Sequence, residues 1–171
     1  MPMDVRLLRI DSRLLHGQVT TNWAKVTKVN RILVVSDKVA KDRIRRTLLV
    51  QASPPGINVN VISVAKMIGI YHDIRFGLLK VMILVEEPED AKRLIAGGIM
   101  VDTVNIGAIS FDRTKVMVSD AIAVNDTDVA AFSWIHKKGI RLDVRKVSGD
   151  NSRDLWLSLI HISEPTRLDV I

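Results

Sequence analysis

Short β-branched or leucine-rich runs alternate with longer amphipathic segments along the chain, and this alternation limits the fold more than any other feature. VRLLRI (5–10), RILVVS (31–36), NVNVIS (58–63), KVMILV (80–85), DTVNIG (102–107) and IRLDVRKV (140–147) read as strands, with VMVSDAIAV (116–124) as a further candidate. Helical spacing falls between them, near 17–28, 38–52, 64–72, 88–96 and 127–138. Strand and helix in turn, joined by short connections, imply right-handed crossovers and a mainly parallel sheet. Residues 108–124 lack a helical pattern, so an antiparallel hairpin at one sheet edge is expected there. The expected fold is a single α/β domain: a mainly parallel central sheet, helices on both faces and an antiparallel edge.

The punctuation between segments agrees. Asp37 stands where it can cap the second helix, and ASPPG (52–56) ends it. Ser63 can cap the third helix, Pro88 suits the first turn of the fourth, and Gly97-Gly98 closes it. Asp126 or Thr127 can cap the fifth, with Gly139 at its end. Within 38–52, Ala40, Ile44 and Leu48 recur every four residues and are expected to face inward, leaving Lys38, Lys41, Arg45 and Arg46 in water.

With 171 residues the chain suits one domain with an ordinary core. It contains no cysteine, which excludes disulfides, thiolate nucleophiles and sulfur-ligated zinc. Twenty-five basic residues against nineteen acidic ones, a net +6, tolerate phosphates, an acidic protein face or a membrane surface without selecting among them. The N-terminus lacks the pattern of a secretory signal. The longest apolar run, VMILV (81–85), is far below the ~20 residues of a membrane span. A soluble cytoplasmic protein is therefore expected.

Open α/β sheets bind ligands outside the carboxyl ends of their strands. RIDSRLLHGQVTTNW (9–23) puts His16 on that edge, just after the first strand and just before the first helix. Ser36 and Asp37 after the second strand and Asn105 in the fifth are candidate neighbours on the same edge. The free N–H groups of a helix start favour an anion, and Arg13 offers a charged fork for phosphate oxygens. Asp11 can hold that guanidinium or a loop amide, while a neutral imidazole can carry a phosphoryl group covalently. The same spacing also suits a histidine that merely packs or caps at the helix start, with Asp11 and Arg13 as a surface ion pair.

The segment 9–23 resembles the active-site segment of the IIB subunits of the mannose/fructose/sorbose class of the bacterial sugar phosphotransferase system, which reads R-I-D-D/E-R-L-I-H-G-Q-V with a tryptophan soon after. The likeness continues through residues 31–72, including the arginine-rich helix and the P-P-G turn, and resumes in VNIGAIS (104–110), AIAVNDTDVAAF (121–132) and KGIRLDVRKV (138–147). The resemblance implies a protein-N(pi)-phosphohistidine–sugar phosphotransferase component. His16 would take a phosphoryl group from a phosphorylated IIA protein or domain, on Nδ1, and pass it to a sugar at the membrane IIC/IID permease subunits. Arg13 would stabilise the moving phosphoryl charge, Asp11 would order the loop, and Ser12, Gly17 and Gln18 would complete the phosphate loop. No nucleotide, metal or other cofactor is implied beyond the covalent phosphohistidine. The implied location is cytoplasmic and peripheral to the permease. A non-catalytic phosphate-sensing module of the same fold is the alternative function.

The chain departs from that pattern in places. Ser12 replaces the usual second acidic residue, and Ala108 with SFDRTK (110–115) stands where the family carries glycines and a G-K pair. The IIB-type domain is assigned to 1–154. From about Leu155 the tail (155–171) no longer follows the family's last helix and reads as a frameshift or sequence-assembly product. His161 is accordingly given no role.

Other chemistry finds little support. His72, His136 and His161 are widely separated, so no metal site is expected, and NDTD (125–128) lacks the glycine and distant glutamate of a calcium loop. The basic helix carrying Lys38, Lys41, Arg43, Arg45 and Arg46 has no interleaved aromatics. An acidic protein partner therefore suits it better than nucleic acid. Trp23 and Trp134 are expected to pack. A homo-oligomer is compatible with the sequence, which does not specify one.

Overall fold

The computed structural model describes residues 2–160, apart from the side chains of Gln18 and Val19. The chain forms the expected alternation: β1 (Asp4–Asp11), α1 (Gly17–Thr27), β2 (Arg31–Val35), α2 (Asp37–Lys41), α3 (Arg43–Gln51), β3 (Asn58–Ile62), α4 (Val64–Tyr71), β4 (Lys80–Val85), α5 (Pro88–Ala96), β5 (Thr103–Ala108), β6 (Val116–Met117), β7 (Ala123–Val124), α6 (Asp126–Lys137), β8 (Arg141–Val144) and β9 (Arg153–Asp154). The main sheet runs β3-β2-β4-β1-β5-β8-β9, parallel throughout except for β9 against β8. The antiparallel edge is thus supplied by β9. The stretch 108–124 instead forms a separate antiparallel pair, β6-β7, tied to the body by an Ile109–Ile122 bridge.

Strand alternation divides the interior into two cores. Leu8, Ile10, Leu33, Val35, Val81, Ile83, Val85, Val104 and Ile106 pack with residues of α4, α5 and α6, including the fully buried Phe132. On the other face, Ile32, Val34, Met82 and Leu84 pack with Trp23 and Ala24 of α1, Val39 of α2 and Leu49 of α3. The intervening residues of the central strands therefore point toward α1. They include Arg9 and Asp11 of β1 and Asn105 and Gly107 of β5, with Arg9 paired to Asn105 and Asn105 to Asp143 of β8. A row of polar side chains crosses three parallel strands on the α1 face.

Most boundaries fall where the punctuation placed them. Ser63 accepts a hydrogen bond from the Lys66 amide, Pro88 opens α5, and Gly97 ends it. Elsewhere the cap shifts by one residue. Ser36, not Asp37, caps α2 by accepting from the Val39 amide. Asn125, not Asp126 or Thr127, caps α6 in a reciprocal capping box with Asp128.

The largest local difference lies in 38–52. Asp42 leaves the helical region (φ −93°, ψ 98°) and caps a new helix by accepting from the Arg45 amide, so one expected helix becomes α2 and α3. Ala40 faces the core as expected, but past the break the apolar stripe turns outward: Ile44 and Leu48 are 74% and 60% exposed, while Val39 and Leu49 are buried. Residues 155–160 are helical and bury Leu155 and Leu159 in the α4–α6 core, although the tail reads as off-pattern. His161 lies outside the described residues. Among the described residues, no helix is long and apolar enough to cross a membrane.

Candidate active site at the end of the first strand

The chain leaves β1 through a tight turn in which the Leu14 amide donates to the Asp11 carbonyl at 2.9 Å. Leu14 is buried and has φ 58°, a left-handed conformation that an L-side chain adopts at a cost. Gly17 follows at φ 45°, where glycine has no such penalty, and opens α1. His16 stands between them as the N-cap residue with extended backbone, its amide donating to Thr20 Oγ1 at 3.0 Å. It does not cap the helix with its ring, and α1 has no acidic residue in its first turn. The positive end of α1 therefore faces the loop without a carboxylate of its own.

Asp11 organises this turn. Its carboxyl is fully buried and is not a surface ion-pair partner. Oδ1 accepts from the Arg13 amide at 3.0 Å and from Arg13 Nε at 3.2 Å. Oδ2 meets Arg9 Nη2 at 3.2 Å, Arg13 Nη2 at 3.3 Å and His16 Nε2 at 3.1 Å. Burial alone would push this carboxyl up. The bonds from Arg13 and His16, together with the Arg9 charge, outweigh it and hold the group below the ordinary aspartate value. Arg13 is half exposed and can reach beyond the loop, while the His16 ring is about a quarter exposed.

The imidazole geometry has a direct chemical consequence. An ionised carboxylate only accepts hydrogen bonds, so the ring proton belongs on Nε2 and the lone pair on Nδ1. Nδ1 is then the nucleophilic nitrogen.

Ser12 holds the turn from its other side. Its amide donates to the Ala108 carbonyl at 2.9 Å, and its Oγ lies 2.7 Å from Ser110 Oγ and accepts from the Ser110 amide at 3.1 Å. The serine standing where an acidic residue is usual thus clips the His16 loop to the loop after β5. Gln18 lies in the first turn of α1; its side chain is outside the described residues.

The remaining candidates divide. Asn105 joins the site, its Oδ1 accepting from Arg9 Nη1 and its Nδ2 donating to the Asp143 carbonyl at 3.2 Å. Ser36 and Asp37 belong elsewhere. Ser36 donates to Glu86 at 3.2 Å, and Asp37 bonds the Val64 amide at 2.9 Å and Arg93 at 3.0 Å. The reason is topological: β4 separates β2 from β1, so their ends stand about 10 Å apart. Of the other histidines, His72 meets the Gly97 carbonyl at 3.2 Å and His136 stacks on Trp156 at 4.5 Å.

Sequence reasoning missed Arg9, which is 2% exposed in the middle of β1. The signal was available: a strand flanked on both sides by other strands and covered on both faces has no water for a charge, so an arginine there must be paired. Asp143 and Arg145 repeat the pattern in β8 and just after it, with Arg145 Nη2 on Asp143 Oδ2 at 2.7 Å. Trp23 packs as expected, and its indole N–H also donates to the Lys146 carbonyl at 2.9 Å. Gly107 leaves room for the buried pair: a Cβ there would overlap the Arg9 guanidinium and stand 2.7 Å from Asp11 Oδ2.

Comparison with known proteins places the chain in a family and a fold. The family model for the PTS system sorbose subfamily IIB component matches residues 5–166. The sorbose-specific EIIB component of Lacticaseibacillus casei is 43% identical over 153 residues, covering 90% of this chain and 93% of that protein. The mannose-specific EIIAB component of Escherichia coli K12 is 47% identical over 148 residues, covering 86% of this chain; the chain spans about half the length of that relative, 46%. In structure, the IIBSor domain of the sorbose permease from Klebsiella pneumoniae superposes with a TM-score of 0.91 at 38% identity, covering 93% of this chain and 98% of the other. The chain therefore belongs to the sorbose subfamily of phosphotransferase-system IIB components.

Proposed function

We propose that this protein is a phosphocarrier in which His16 accepts a phosphoryl group from a phosphorylated IIA protein or domain and delivers it to a sugar at the IIC/IID permease subunits. The observation that carries the reading is the 3.1 Å approach of His16 Nε2 to the buried Asp11 carboxylate, which leaves Nδ1 as the open nucleophile. In the first step the Nδ1 lone pair forms a bond to phosphorus as the bond to the donor's histidine nitrogen breaks, and the electron pair leaves with the donor ring. The Nε2 proton stays in place, and Asp11 offsets the positive charge that builds on the imidazole. In the second step a sugar hydroxyl attacks the same phosphorus, the Nδ1–P bond breaks with its electron pair returning to Nδ1, and the hydroxyl proton passes to water.

Arg13, half exposed beside the loop, supports the charge on the transferring oxygens, where electrostatic stabilisation contributes most. His16 is the residue before α1, so the positive end of that helix favours the same anion. The covalent intermediate needs no cofactor. The protein works at the cytoplasmic side of its permease.

The test is intact mass after incubation with phosphoenolpyruvate, the general phosphotransferase proteins and a matching IIA. Wild type should gain one acid-labile phosphate, and His16→Ala should gain none while keeping its fold. A folded wild type left unmodified beside demonstrably phosphorylated IIA would overturn the reading. Arg13→Ala should slow onward transfer more than acceptance, because its charge acts on the transition state.

A further inference from the structure

Arg9 lies outside the reacting loop, yet every atom of its guanidinium fork that can donate toward the site is committed. Nη1 donates to Asn105 Oδ1 and to the Arg145 carbonyl at 2.8 Å. Nη2 donates to the Lys146 carbonyl at 3.0 Å and to Asp11 Oδ2 at 3.2 Å. Three of these acceptors are neutral, so Asp11 is the anion that balances this buried cation. Trp23 braces the arrangement: its ring centroid lies 5.5 Å from Arg9 Cζ, and its N–H shares the Lys146 carbonyl with Arg9. Gly107 supplies the space.

Two arginines therefore serve one carboxylate, and they differ in exposure. Arg13 is 49% exposed and Arg9 is 2% exposed. When Arg13 turns to the phosphoryl group, Asp11 loses one of its counter-ions. A fully buried carboxylate left alone would take up a proton. A protonated Asp11 could then donate to Nε2, moving the ring proton to Nδ1 and blocking the nucleophile. Arg9, locked by β5 and the segment after β8, does not move with Arg13.

We propose that Arg9 is the positioning residue that keeps Asp11 ionised and aimed at Nε2, which frees Arg13 to follow the phosphoryl group. This rests on the phosphocarrier reading above. The division of work is permanent counter-ion against mobile one, and Oδ2, which meets both Arg9 and His16, is the atom that couples them.

The test is the protonation state of the His16 ring, read by two-bond 1H–15N correlation, and the titration of Asp11, read from its carboxyl 13C shift. Both are measured on the full chain without phosphate, for wild type, Arg9→Gln and Arg9→Lys. Wild type should show the Nε2–H form. Arg9→Gln should shift the ring toward Nδ1–H, raise the pH at which Asp11 titrates, and slow phosphoryl acceptance about 10- to 100-fold. Arg9→Lys, which restores charge without the fork, should recover part of each.

A folded Arg9→Gln with wild-type ring form, Asp11 titration and acceptance rate would overturn the proposal. If Arg9→Gln does not fold, Arg13→Ala decides, because Arg9 is then the guanidinium left on Asp11: Nε2–H with Asp11 titrating below the ordinary range upholds the role, and Nδ1–H overturns it. Because these signals need no phosphate, a protein that shows them yet never accepts phosphate would overturn the phosphocarrier reading, and with it the freeing of Arg13, while leaving Arg9's hold on Asp11 and the ring standing.

Discussion

His16 Nε2 and Asp11 Oδ2 stand 3.1 Å apart, with the carboxylate fully buried and the ring partly open to solvent. One end of the imidazole is thereby fixed by the protein, while about a quarter of the side chain stays open to solvent. Asp11→Asn keeps the shape and removes the charge. Single-turnover acceptance should fall about 10²- to 10⁴-fold, because an amide does not enforce the Nε2–H form. Urea unfolding should show a loss of about 3–5 kcal/mol, since Arg9 keeps its buried charge without its anion. A folded Asp11→Asn with a near wild-type rate would show that the carboxylate is not needed for the nucleophile.

Gly107→Ala tests the space behind that pair. The new methyl would overlap the Arg9 guanidinium, which is pinned by backbone carbonyls and cannot swing aside. Overpacking of this kind costs about 1–3 kcal/mol. Thermal melts should show the loss, with slowed acceptance beside it; an unchanged melting curve would mean that the guanidinium relocates freely.

Asp90 titrates in the opposite sense from Asp11. Burial, together with Glu87, Asp37 and Glu86, pushes its carboxyl up to about 6 against the attraction of Arg93. The folded state therefore binds this proton more tightly than the unfolded chain does. The cost of ionising Asp90 is absent below about pH 4, grows between about pH 4 and 6, and is fully present at neutral pH. A shift of this size corresponds to about 3 kcal/mol. Asp90→Asn should raise stability at pH 7.5 by about 1–3 kcal/mol and flatten the profile between pH 4 and 6. Asp11, whose carboxyl is held down, contributes stability that is lost as pH falls below about 4. Equal slopes for wild type and Asp90→Asn would contradict the assignment.

Leu155→Ala tests whether the segment after β9 belongs to the fold. Leu155 is 1% exposed and packs in the α4–α6 core. Truncating a buried leucine costs about 2–5 kcal/mol. A change below about 0.5 kcal/mol would mean that residues 155–160 ride on the surface.

The sheet was legible because alternation between period-two and helical patterns survives in nearly every segment. What the pattern hides is a cap inside a helical run. Asp42 interrupts 38–52 without disturbing its spacing, and one residue of rotation sends Ile44 and Leu48 to the surface. The His16 loop was legible as a motif, but its depth was not. Whether Asp11 is a surface or a buried carboxylate depends on which strand flanks β1, and only strand order answers that. The same order explains why Asn105 belongs to the site and Ser36 and Asp37 do not: β5 is adjacent to β1, and β2 is not.

The left-handed Leu14 adds a last consequence. A free chain seldom visits that conformation at a leucine, and the buried side chain in the α1 core is what holds it there. The turn that carries His16 is thus borrowed from the whole domain and is not portable. A synthetic peptide spanning residues 9–23 would carry every letter of the motif without the left-handed turn, and loss of the core under α1 would release that turn.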